Sequence, residues 1–158
     1  MHCLWKNEPI LDGPWLDEPH HLYYTDRETG YECRLRRNPV YAWCGYVEVA
    51  EDHPIFKKDY VTLNEYLGVH GGITWSDYPP MEKFSWGDEK IWFVGFDCSH
   101  AYDLSPASRS RLVIADQSYR DLEYVKNEVK NLCRQLKELE GQEIKVIENW
   151  DDEEENDV

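Results

Sequence analysis

Two short apolar runs, separated by a connection punctuated with Pro79-Pro80 and Gly87-Asp88, constrain the fold of this chain more than any other feature. The first reads Val69-His70-Gly71-Gly72-Ile73-Thr74-Trp75 and the second Ile91-Trp92-Phe93-Val94-Gly95-Phe96-Asp97-Cys98-Ser99-His100, with Asp103 close behind. β-Branched and aromatic residues suit a pleated, half-buried surface, so both runs read as strands. The connection is too long for a tight hairpin but short enough for antiparallel neighbours. That pairing carries His70 toward the end of the second strand, where Asp97, Cys98, His100 and Asp103 gather.

The remaining strands follow from periodicity. Tyr31, Cys33 and Leu35 alternate with polar residues at the two-residue period of a half-buried strand, and the turn signal Asn38-Pro39 follows. Val40 to Val49 is too apolar for an exposed strand and reads as a central one, forming a hairpin with its predecessor. From Glu51 to Gly68 periodicity fades, which predicts a loop with at most a short helical turn. Leu112-Val113-Ile114 and Gln142 to Ile147 are candidate further short strands.

The clearest helix comes late. Leu122, Val125, Val129, Leu132, Leu136 and Leu139 recur at steps of three and four, forming one apolar stripe. Ser118 with Asp121 resembles a capping-box start, and Gly141 marks the stop. The stripe could pack on the sheet or form a coiled-coil homodimer through helix 119–140, although about three heptads is short for the latter. The expected fold is α+β: a mainly antiparallel sheet from segments near 31–37, 41–49, 72–76 and 91–98, with one long C-terminal helix against it. It forms a single domain over 1–148. Within it, Pro9, Pro14 and Pro19 predict an extended N-terminal arm over 1–27, anchored by Trp5, Trp15 and Leu16.

Charge narrows the partners. The net charge is −15 over 158 residues, and six acidic residues lie between Asp151 and Asp157; without them the charge is still −9. Such a field repels nucleic-acid backbones and anionic membranes, and favours basic partners or simple solubility. Residues 149–158 are expected to be an acidic disordered tail. Five cysteines, odd in number and without a Cys-x-x-Cys pair, argue against a zinc ribbon or a disulfide framework and point to a reducing cytoplasm. No signal peptide is visible, and no stretch approaches the ~20 apolar residues of a membrane span.

The chemistry converges on one region, in three open readings. Cys98 and His100 could chelate zinc, with His70 and Asp103 completing four ligands. Alternatively Cys98 is the nucleophile of a small hydrolase, with His100 or His70 as base and Asp103 orienting the imidazole. The third reading is a polar pocket that only binds: His70, Asp97 and His100 supply polar groups and Thr74 a hydroxyl, while Gly71 and Gly72 let a ligand approach the backbone and His53 lies at the rim. The P-loop, dinucleotide, His-Glu-x-x-His and Gly-x-Ser-x-Gly motifs are absent.

The series Gly13-Pro14-Trp15, Thr29-Gly30-Tyr31-Glu32-Cys33, Arg37-Asn38-Pro39, Cys44-Gly45-Tyr46-Val47, His53-Pro54, His70-Gly71-Gly72-Ile73-Thr74, Gly95-Phe96-Asp97-Cys98-x-His100 and Tyr119-Arg120-Asp121-x-Glu123-Tyr124-Val125 resembles an uncharacterised family of small bacteriophage- and prophage-encoded proteins. The likeness runs from about residue 13 to about residue 136. Tyr102 stands where that pattern often has Gly. The resemblance implies a setting instead of a mechanism: an accessory counter-defence factor in the cytoplasm of a bacterial host, inhibiting a host defence protein or binding a small ligand such as a signalling nucleotide. The small Cys/His or metal-dependent hydrolase is the alternative.

Overall fold

The computed structural model describes residues 12–79, 91–107 and 117–147. Five strands form one antiparallel sheet: β1 (His21–Thr25), β2 (Glu32–Arg37), β3 (Trp43–Val49), β4 (Trp75–Asp77) and β5 (Trp92–Asp97), in the spatial order β1-β2-β3-β5-β4. A short helix, α1 (Tyr60–Leu63), lies in the connection after β3, and the long helix α2 (Leu122–Leu139) closes the described chain. The expected α+β architecture is the one observed. The two apolar runs pair antiparallel, with Trp75 opposite Gly95 and Asp77 opposite Phe93.

Registers set the core. Leu35 lies opposite Gly45, which lies opposite Phe96, while Cys33, Val47 and Val94 form the neighbouring row. These side chains share one face, and Val125, Val129, Leu132 and Leu136 of α2 cover it, all fully buried. Burying each such aliphatic contributes ~1.5–3 kcal/mol. The helix packs tightly at Gly45, where an added Cβ would fall 2.6 Å from Val129 and 2.8 Å from Phe96. The apolar stripe of α2 is therefore covered by the chain's own sheet, so the seam invoked for a helix-mediated homodimer is already occupied.

Boundaries differ from expectation for local reasons. His21–Thr25, within the stretch expected as an arm, pairs with β2 as an edge strand. The 72–76 strand shortens to β4 because Gly71 and Gly72 adopt positive φ, although the Thr74 N–H still donates to the Gly95 carbonyl. Residues Gln142 to Ile147 do not form the expected strand; instead the Lys145 N–H donates to the Tyr66 hydroxyl and the Ile147 N–H to Thr62 Oγ1. Helix α2 begins at Leu122, capped by Asp121, whose carboxylate accepts from the Tyr124 N–H at 2.9 Å. Ser118, expected as the cap, forms a parallel bridge with Asp103. Trp5, the 112–114 segment and the acidic tail 149–158 lie outside the described residues.

A second polar contact ties the beginning of the described chain to α2. Glu18 follows a short 3-10 turn at Pro14–Asp17. Its carboxylate accepts from Arg37 Nη2 at 3.1 Å, Trp43 Nε1 at 3.2 Å, the Tyr119 hydroxyl and the Leu122 N–H at 2.8 Å. The Arg37 side chain is only 3% exposed and lies over the Trp43 and Tyr41 rings. Trp15 packs edge-on against Tyr119 and anchors this segment as expected, whereas Leu16, the other expected anchor among the described residues, is exposed to solvent.

Candidate functional site

His70 leaves a loop shaped by its own glycines. Gly71 has φ 70° and Gly72 φ 86°, and Asn64 clamps the turn by accepting from the Ile73 N–H and donating to the Ile73 carbonyl. The His70 N–H donates to Glu128 Oε1 at 2.7 Å. The His100 ring lies directly on Gly71, since a Cβ there would meet His100 Nε2 at 2.1 Å. The glycine is required both for its left-handed backbone and for that contact.

Asp103 is the centre of the arrangement. Its carboxylate is 2% exposed; Oδ2 accepts from His70 Nε2 at 2.7 Å and from the His100 N–H at 3.0 Å, and Oδ1 accepts from Arg120 Nε at 2.9 Å. Burial alone would raise its pKa, but the hydrogen bonds from Arg120, His70 and the His100 N–H together hold it below the usual aspartate value. An ionised Asp103 assigns the Nε2 proton to His70. The Tyr124 hydroxyl lies 2.7 Å from His70 Nδ1, and burial, with the nearby Glu128 charge, pushes that phenol above its ordinary range. Tyr124 therefore keeps its proton, and its hydroxyl and the Asp103 carboxylate engage both nitrogens of His70.

His100 is different. Its side chain is 37% exposed, and Nε2 lies 3.3 Å from Asp97 Oδ1 yet makes no hydrogen bond. The separation is that of an ion pair, but the missing hydrogen bond shows that the alignment is poor, so the two groups are close neighbours and not a bonded pair. Asp97 is engaged elsewhere, accepting from Thr74 Oγ1 at 3.0 Å and from the Ser99 N–H and hydroxyl.

The predicted residues thus divide. His70, Gly71, His100 and Asp103 meet directly, and Asp97 with Thr74 flanks His100. Gly72 shapes the loop and packs on Asn64. Cys98 lies in the apolar core at 2% exposure, and no hydrogen bond joins its sulfur to His70 or His100. Burial, reinforced by the Asp103 charge, pushes its thiol well above the ordinary range, so it stays protonated. His53 lies elsewhere: Nε2 donates to the Leu136 carbonyl at 2.8 Å and Nδ1 accepts from the Ile55 N–H at 3.1 Å, which ties a loop to the far end of α2. Among the described residues no group of three His, Cys, Asp or Glu side chains is placed to hold a metal ion.

Sequence reasoning passed over Arg120, Tyr124 and Glu128. The last two are four residues apart and share one helix face, a detectable pairing, but nothing local says that this face meets His70.

The network is continued by backbone hydrogen bonds that close a loop. The Leu104 N–H donates to the Ser118 carbonyl, the Ser118 N–H to the Tyr102 carbonyl and the Asp103 N–H to the His100 carbonyl. At its apex Tyr102 is 69% exposed, beside half-exposed His100. No helix among the described residues is long and apolar enough to cross a membrane. Compared with known proteins, the chain matches no family model, no curated protein and no solved structure.

Proposed function

We propose that this protein acts by binding and not by turnover, as a phage- or prophage-encoded counter-defence factor that inhibits a host protein in the bacterial cytoplasm. The setting comes from the motif resemblance; the mode comes from the site. One observation carries it: both nitrogens of His70 are taken up inside the protein while Cys98 is buried and protonated, so these two do not face solvent together as base and nucleophile. The His70–Asp103 pair supports a rigid loop, and Tyr102 with His100 forms its contact surface. An exposed aromatic held on an ordered loop loses little conformational freedom on docking, the property of an interface hot spot.

Titration of purified protein against the defence activity of a host extract tests this. Inhibition should saturate near one-to-one, Tyr102→Ala should abolish it with the circular-dichroism spectrum unchanged, and Cys98→Ala should retain it. Inhibition at far below one equivalent, or its loss in a folded Cys98→Ala variant, would refute the binding reading in favour of a hydrolase.

A further inference from the structure

Near the other end of α2 two hollows share a wall at Tyr31 and Ala50. One, of about 320 Å³, lies between Tyr31, His53 and Glu140; the other, of about 540 Å³, runs over Val49, Phe56 and Trp92, and both are lined by Tyr31 and Ala50. The floor is aliphatic and aromatic. The rim carries Glu32, Glu48, Glu51, Asp52 and Glu140, and among the described residues no lysine or arginine lines either hollow. Tyr124 and Glu140 are sixteen residues apart, about 24 Å along a helix, so this groove is separate from the Tyr102 loop.

The charge here is only partly neutralised internally. Glu48 has Arg34 at 3.4 Å, and Glu140 has Tyr31 and Lys137, but Glu51 and Asp52 form no ion pair among the described residues. Burial, with Glu32 alongside, raises the Glu48 carboxyl despite Arg34. The C-terminal end of α2 adds the negative pole of its dipole. Lys57 already places its ammonium 5.7 Å from the centroid of Phe56, so the aromatic wall carries a cation in the free protein.

We propose that this groove seats a lysine or arginine side chain from a basic segment of a partner protein. An apolar floor under a carboxylate rim fits a long aliphatic stem ending in a cation: the stem covers Phe56 and Trp92 while the head reaches the acids. The acidic field of the whole chain accelerates encounter with such a segment, and the groove supplies its register.

The test uses a fluorescein-labelled Arg-Gly repeat peptide and anisotropy at physiological ionic strength. The Glu32→Gln/Glu51→Gln/Asp52→Asn variant should weaken binding by about tenfold or more, and Phe56→Leu should weaken it by several-fold. Asp17→Asn/Glu65→Gln/Glu123→Gln removes equal charge from exposed sites elsewhere and should stay within about threefold of the parent. Tyr102→Ala should leave the affinity unchanged, which separates the groove from the loop. Equal losses in the two triple variants would show a diffuse field with no site, and absence of saturable binding by about 1 mM would equally overturn the groove.

Discussion

Replacing Asp103 with asparagine keeps the shape of the side chain while removing the charge that three donors converge on. The parent carboxylate, 2% exposed, accepts from Arg120, His70 and the His100 N–H. The amide has one acceptor oxygen, so at least one donor faces an N–H₂ group, and Arg120 loses its counter-charge. Hydrogen bonds to charged groups contribute ~1.5–3 kcal/mol each, which places Asp103→Asn at about 2–3 kcal/mol and Asp103→Ala, which strips every acceptor from a buried pair, at about 3–5 kcal/mol. For a domain of this size 1 kcal/mol is worth ~2–4 °C, so Asp103→Asn should lower Tm by about 4–12 °C. pH supplies a second signature. The folded-state pKa of Asp103 lies below its unfolded value, so its contribution is present in full above the unfolded pKa, ~3.9, and is lost as pH falls through the folded pKa. The Tm gap between parent and Asp103→Asn should be full at neutral pH and shrink below about pH 4. Differential scanning calorimetry across that range decides it. A gap under about 1 °C at neutral pH, or one that does not narrow in acid, would refute the charge-centred account of this site.

Glu18→Ala should cost about 3–5 kcal/mol in urea unfolding followed by Trp fluorescence, because it leaves the Arg37 guanidinium buried without its partner. The Glu18 carboxyl, whose burial is outweighed by its hydrogen bonds from Tyr119, Leu122, Trp43 and Arg37, is also held below its ordinary value, so that stabilisation likewise disappears as pH falls through the folded pKa. Gly71→Ala should destabilise by at least about 1–3 kcal/mol and displace the His100 ring, visible as a shift of its NMR resonances, since the site combines positive φ with a Cβ position 2.1 Å from Nε2. Iodoacetamide should label Cys33, Cys44, Cys98 and Cys133 slowly in the native protein and rapidly after unfolding, as all four are buried; mass spectrometry reads the difference.

Sheet and helix were legible where one face of an element meets the core. The alternation of Cys33 and Leu35, the apolar run through Trp43 and Val47, and the stripe from Val125 to Leu139 each encode burial directly. β1 was hidden because only Leu22 and Tyr24 turn inward, and Pro14 and Pro19 suggested irregular backbone. The 142–147 segment has strand-like composition, but its donors find the Tyr66 and Thr62 hydroxyls instead of a neighbouring strand. At the site, His70, His100 and Asp103 were reachable because antiparallel pairing brings two named chain ends together. Cys98 was misread as available because its spacing to His100 suggested a shared ligand, whereas the side chain completes the core. Tyr124 arrives from a helix whose rotation about its axis follows from packing such as that at Gly45, and Arg120 from the segment just before its cap; no local pattern contains either placement.

Glu18 has a consequence in time. Its carboxylate accepts from Leu122, more than a hundred positions later in the chain. During synthesis the segment around Glu18 emerges early, and its receptor is incomplete until Tyr119 and the first turn of α2 have followed. Until then Arg37 has no Glu18–Tyr119–helix cradle, and the Tyr41 and Trp43 rings over which it lies wait without that cover. Docking of the early segment is therefore a late event in the history of the molecule, and a nascent chain arrested before residue 119 should present that side of the sheet open to proteases and chaperones.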